Sequence, residues 1–320
     1  MNAATETSES FVAPATAPRP VRPFYWSVMR ELWEHRSLTI VPLVPAGIAL
    51  AAVLYASIFS SHDVALLGQV PPEKLGQVAT VAYGFIAWAI SLAMHIAVFF
   101  YLLDALQGER KDRSVLFWKS MPVSDSTTVL SKLFTALVVS GAIVVVVSVA
   151  AVLAVLLLAS VVMLIGGVNP VPLWTGSQLL QTTVAITYWQ ISIALWYAPV
   201  AAWLLLVSSW ATRGTFLWAV GTPIALAVFE RVAIRTSYLQ TLINARLADP
   251  VLARFETVTR GAQLTIRTDE GVKAHGIPGN VLDGLDPVAF FGNPWLWVGL
   301  VVAAAFVAAA IWMRRYREPI

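Results

Sequence analysis

The chain has 320 residues, of which 58% are hydrophobic and only 12% are charged, against about 25% charged in an ordinary soluble domain. From Leu133 to Thr212 there is no Asp, Glu, Lys or Arg over 80 consecutive positions; no soluble core buries such a run, so composition excludes a soluble globular fold and predicts an all-α polytopic membrane protein. The absence of cysteine excludes disulfides, thiolate chemistry and Cys-ligated metals, and a net charge of only +3 provides no strongly basic surface for nucleic acid.

Residues 1–21 are rich in Ala, Thr, Ser, Glu and Pro and lack the apolar stretch of a signal peptide, so they read as a disordered cytoplasmic tail. Residues 22–320 read as a single transmembrane domain. In "FYWSVMRELWEHR", Phe24 to Arg36, the residues Tyr25, Val28, Met29, Leu32 and Trp33 recur at helical spacing, while Arg30, Glu31 and Glu34 fall on other faces. This predicts an N-terminal amphipathic helix lying in the membrane interface, with Pro42 and Pro45 allowing a bend into the first span. A hydrocarbon core about 30 Å thick needs roughly 20 apolar residues in a helix. Six segments meet that test, at about 38–59, 79–103, 129–165, 184–207, 215–229 and 295–313. The fifth is short and carries Pro223, which predicts a kink or an extension back toward Trp210. The long segment 231–293 contains "SYLQTLINARLADPVLARF", with a helical pattern, and then Phe290, Phe291 and Trp295 near the return to the membrane. Short helices that touch or dip into the interface are expected there.

Six spans put both termini on one side. With the termini in the cytoplasm, the inner parts hold 13 basic residues against 9 acidic ones, and the outer parts hold 8 against 9. Seven of the eight outer basic residues lie in the long segment, between Arg231 and Lys273. Long segments cross regardless of charge, so the short loops decide, and they favour both termini inside.

Between the second and third spans runs "GERKDRSVLFWKSMP", Gly108 to Pro122. Glu109 and Arg113 are spaced for a helical ion pair, and Arg110, Lys111 and Arg113 suit anionic headgroups. A topology anchor accounts for these charges but not for Leu116, Phe117 and Trp118. An apolar triplet on a short charged helix suits a groove on a partner protein, and it also suits the lipid interface. Pro122 stops this helix, and Ser124 or Asp125 can cap the next one.

"GERKDRSVLFWKSMPVSDSTTVLSKL" resembles the first cytoplasmic loop of permease subunits in the type-two family of ABC exporters, whose run is of the form RxDxSxLFWKSLPVSD. Met121 stands here where Leu is usual. The likeness is specific over about 30 residues and extends loosely to the six-span layout, the interfacial helix and the long outer segment. It implies that Glu109, Arg110, Asp112, Leu116, Phe117, Trp118 and Lys119 belong to a cytoplasmic coupling helix that docks on a separate ABC ATPase subunit, two copies being expected. It also implies a homodimer or a heterodimer with a similar permease in a bacterial inner (plasma) membrane. ATP and Mg would sit on the partner ATPase and no cofactor on this chain. The substrate is unidentified, and the lack of charge within the spans favours a hydrophobic or amphipathic one.

No Gly-x-x-x-x-Gly-Lys-Ser/Thr loop occurs, so ATP hydrolysis is assigned elsewhere, and no acid, base and nucleophile converge as catalysis would require. His35, His62, His95 and His275 lack ligand spacing, and no metal site is predicted. His95, within the second span, and Asp104, at its inner end, are read as a neutral histidine bonded to a neighbouring helix and a carboxylate at headgroup depth, beside a functional alternative for each. Glu230 and Arg231 can pair with each other or with the outer segment. Gln181, Gln190 and Ser192 either line a path or join helices. The alternatives to a permease are a secondary transporter, which needs mid-membrane carboxylates that 133–212 does not supply, and a non-catalytic membrane scaffold.

Overall fold

The computed structural model describes residues 22–59, 71–111, 123–248, 263–267, 271–275 and 281–316. The proposed tail 1–21 lies outside them. Helix α1 (Pro23–Glu34) begins with proline in its first turn, where the missing N–H costs nothing, and stops at His35. A short helix α2 (Ser37–Ile40) leads into α3 (Leu43–Phe59), and together these make the first span, interrupted near Pro42. Pro45 falls in the first turn of α3, where backbone donors have no intrahelical partner to lose.

The second span is α4 (Pro72–Asp104), at about 50 Å longer than a hydrocarbon core requires, followed by the five-residue α5 (Gln107–Lys111). The third span joins α6 (Asp125–Phe134), a π-helical turn (Thr135–Val139) and α7 (Ser140–Ile165). Ser124 caps α6, its hydroxyl accepting from Thr127 N at 3.1 Å; Asp125 is left for another task. Helix α8 (Val171–Thr175) turns the chain into the fourth span, α9 (Leu179–Trp210), which contains Pro199. Ala211 is extended and Gly214 adopts φ 64°, a left-handed conformation that glycine takes without strain.

The fifth span, α10 (Thr215–Phe229), therefore cannot reach back toward Trp210. It extends forward instead, through a π-helical turn, Glu230–Ile234. In the long segment come α11 (Tyr238–Ala248), an antiparallel hairpin of β1 (Gln263–Arg267) and β2 (Gly271–His275), a 3-10 turn (Val281–Gly284) and α12 (Pro287–Phe291). The hairpin was not expected from the sequence. The sixth span is α13 (Pro294–Tyr316).

All six expected spans are present as helices long and apolar enough to cross a membrane, and the chain is a multi-pass, all-α membrane protein carrying, among the described residues, one small hairpin. The fourth span is the centre of the bundle: 61% of its most apolar stretch is buried, against 6% for the fifth span at the periphery. It packs on the sixth, second and third spans, and the first span packs on the third. Helix α1, α5, the start of the third span and the last turn of the sixth meet at one end, since Arg314 reaches both Asp125 and Glu109. At the opposite end Gly76 of α4 lies against the backbone of Gly176, just after α8.

The long segment returns to the bundle. Arg246 of α11 lies over the Trp196 ring at 4.3 Å and donates to the carbonyls of Trp196 (3.3 Å) and Trp295 (2.6 Å), joining the fourth span to the start of the sixth. Glu230 does not pair with Arg231. It caps α11, accepting from Thr236 Oγ1, Tyr238 N and Leu239 N at 2.7–2.8 Å.

Candidate functional site

The site begins where the second span ends. Two consecutive backbone donors, Leu106 N and Gln107 N, both reach Ser208 Oγ of α9 at 3.0 Å, so the start of α5 is capped by a side chain from another span. Gln107 continues the attachment: its Nε2 donates to Thr212 O at 3.2 Å, and its Oε1 accepts from Thr215 Oγ1. Arg110 donates to the carbonyls of Ser208 (2.7 Å) and Ala211 (2.8 Å), the unpaired acceptors at the end of α9. A cation at that position also meets the negative end of the helix dipole. Arg110 is thus a fastening between α5 and the turn joining the fourth and fifth spans, where the sequence suggested a headgroup contact.

Glu109 was expected to pair with Arg113, which lies outside the described residues. Its carboxylate accepts from Arg314 Nη1 at 2.6 Å, Lys132 Nζ at 3.0 Å and Arg30 Nη2 at 3.2 Å. Lys132, 1% exposed, also donates to both oxygens of Glu31 at 2.9 Å. Glu31 is fully buried and accepts further from Arg30 (2.7 Å) and Tyr101 Oη (2.9 Å). Arg314 Nε reaches Asp125 at 3.0 Å. Three cations, Arg30, Lys132 and Arg314, therefore meet three carboxylates, Glu31, Glu109 and Asp125, in one cluster spanning α1, α5, α6 and α13.

Burial by itself raises the Glu31 pKa. The Coulombic pull of Lys132, with hydrogen bonds from Arg30 and Lys132, overrides it and holds the carboxyl below its ordinary value. Glu34, on the same helix, moves the other way: burial and the neighbouring Glu31 and Glu109 charges raise it in spite of Arg30. An apolar set of the same shape would stabilise as well as such a cluster. What the cluster adds is direction. Glu109 cannot move without exchanging partners on three other helices.

The placement of Glu31 corrects the sequence reading, which put Arg30, Glu31 and Glu34 on the polar side of a surface helix. Glu31 shares a buried face with Ser27 and Val28, while Tyr25, Trp26 and Trp33 remain exposed, as an interfacial helix requires. Lys132 and Arg314, counted only as topology charges, are also buried. A signal was present: Thr128, Ser131, Lys132 and Thr135 form a polar stripe at helical spacing just as the third span begins, and all four are buried. Of the expected loop residues, Glu109 and Arg110 are brought into the cluster and its fastening; Asp112, Leu116, Phe117, Trp118 and Lys119 lie outside the described residues.

Ligand atoms of Glu31, Glu34 and His35 lie within 4.8 Å of one another. Both Glu31 oxygens already face Lys132 Nζ, so a cation there would compete with a buried ammonium, and the trio carries no metal assignment. Asp104 is exposed at the end of α4. His95 bonds within its own span, to Ser91, and Gln190 of the fourth span joins the pair by donating to Ser91 Oγ at 2.9 Å. Compared with protein-family models, curated proteins and solved structures, the chain matches none.

Proposed function

We propose that this chain is the membrane-spanning permease subunit of an ATP-driven exporter whose ATPase is a separate polypeptide, with both termini and the 108–122 loop in the cytoplasm. The observation that carries the reading is the fastening of the loop's first turn. Glu109 and Arg110 tie it to α1 and to the third, fourth and sixth spans, so a load on the loop is passed to the bundle and is not absorbed by a slack connection. The loop's sequence, with Leu116, Phe117 and Trp118 beside a charged run, supports a protein groove as its target. ATP-driven closure of two ATPase subunits would press on Phe117 and Trp118 and tilt the attached spans. The chain itself would make and break no covalent bond. Two permease copies, or one with a similar partner, would enclose the path for a hydrophobic or amphipathic cargo.

The test is co-purification. The tagged chain, isolated from its native membrane, is expected to carry a protein with a phosphate-binding loop and ATPase activity. The double variant Phe117→Ala/Trp118→Ala should insert normally and lose that protein. Recovery of the wild-type chain without any ATPase, or undiminished recovery by the variant, would sink the reading.

A further inference from the structure

A cavity of about 300 Å³ lies between the second, third and fourth spans. Its walls are mostly apolar, among them Leu92, Leu137, Ile193 and the ring of Trp88, and among the described residues no Asp, Glu, Lys or Arg lines it. Several of the polar groups that do line it are committed. Tyr197 Oη donates to Leu247 O at 3.3 Å and Ser140 Oγ to Ala136 O at 2.6 Å. His95 Nδ1 lies 2.6 Å from Ser91 O, which can only accept, so Nδ1 carries a proton and Nε2 is the acceptor of the neutral ring. Gln190 Nε2 donates to Ser91 Oγ, which leaves the Gln190 carbonyl. Among the described residues nothing pairs with Nε2 of His95 or Oε1 of Gln190. Trp88 Nε1 is likewise unpaired among the described residues and can only donate, so the open groups at the cavity are two acceptors and one indole donor, a set that a hydroxyl can both donate to and accept from.

We propose that this cavity is a binding site for an uncharged, single-chain amphiphile whose polar end donates a hydrogen bond, such as an alkanol. The charge follows from the lining: an ion here would be desolvated with no counter-ion, at a cost a hydrogen bond does not offset. The donor follows from His95 and Gln190. The size follows from the volume, which at about 30 Å³ for a water-sized group takes about ten such groups, enough for one short chain and too little for both chains of a phospholipid. The walls are also able to adjust. Ala136 and Leu137 belong to the π-helical turn of the third span, and Tyr197 and Val200 flank Pro199 in the fourth, so both helices depart from regular backbone bonding where they face the cavity. The site belongs to this chain alone and does not depend on an ATPase partner.

The test uses the full chain in lipid nanodiscs and an octanol with a diazirine on its alkyl chain, with photoadducts mapped by mass spectrometry. Adducts are expected at cavity residues such as Trp88 and Leu137. Plain 1-octanol should suppress them at about tenfold lower concentration than octane or octylammonium, and His95→Leu should raise the octanol concentration needed by about tenfold. A phospholipid with the diazirine on its acyl chain should leave these residues unlabelled. Three results overturn the proposal: octanol adducts spread evenly over exposed residues such as Ile48 and Leu217, competition by octane or octylammonium equal to that by octanol, or labelling of the cavity by the phospholipid that octanol does not displace. The competition series on the wild-type chain decides the matter even where the variant fails to fold.

Discussion

Lys132 is 1% exposed in a chain with few charges, and it touches two carboxylates, Glu31 and Glu109. Removing one partner of a buried pair leaves the other uncompensated, which costs about 3–5 kcal/mol, whereas removing both is far milder. Lys132→Met should therefore lower the apparent Tm in detergent markedly, and Glu31→Leu added to it should recover much of the loss; additive loss in the double variant would contradict the pairing. The pH dependence has a definite sign. Glu31 is held below its ordinary pKa, so its contribution is complete above the carboxylate range, about 4.3, and is lost as pH falls through the depressed value. The thermal midpoint should stay flat from about pH 8 to about pH 5 and fall below about pH 4, and Lys132→Met should blunt that fall. At this scale little was legible beforehand. An amphipathic pattern shows which residues are polar but not which polar residue a neighbouring helix will cover.

Among the elements, the spans were the most legible because length and apolarity alone decide them. Their ends were not, since the apolar windows stop where polar residues begin while backbone bonding continues. The second span starts at Pro72 and the fourth at Leu179, both before their apolar windows. There Gly76 faces Gly176, and a Cβ on Gly76 would come far closer to the Gly176 backbone than van der Waals contact allows, and that backbone cannot swing aside as a side chain does. Gly76→Ala should lower the apparent Tm by several degrees, about the effect of 1–3 kcal/mol of overpacking, while Gly84→Ala, which has open space inside the same helix, should leave it unchanged or raise it slightly. Equal midpoints for the two variants would show that the helices are not in contact. The second and third spans also carry what periodicity could not show: a cavity beside the π-helical turn at Thr135–Val139, made by the meeting of helices and not by any one of them.

For the whole molecule, the arrangement of charge gives a prediction of orientation. The ion cluster, the 4–5 turn and the end of the sixth span lie at one end, and α8 and α11 lie toward the other, with the short-loop basic residues concentrated at the cluster end. The chain has no cysteine, so single cysteines report without background. In intact cells a membrane-impermeant maleimide should label Ser237→Cys, and Ser126→Cys only after permeabilisation; the reverse pattern would place the 108–122 loop outside and end the permease reading.

Composition and the positions of charge determined by themselves that the chain is an all-α membrane protein of six spans, with an amphipathic helix before the first and a charged, aromatic loop after the second. These follow from the cost of unpaired backbone and charge in hydrocarbon, which is local and additive along the chain. Tertiary structure alone decided that Glu31, Lys132, Glu109 and Arg314 are one cluster and that His95 and Gln190 share Ser91 across a cavity. The contacts between helices join residues from 23 (Glu109 and Lys132) to 205 (Glu109 and Arg314) positions apart, and which faces of the helices meet depends on how all the spans pack together.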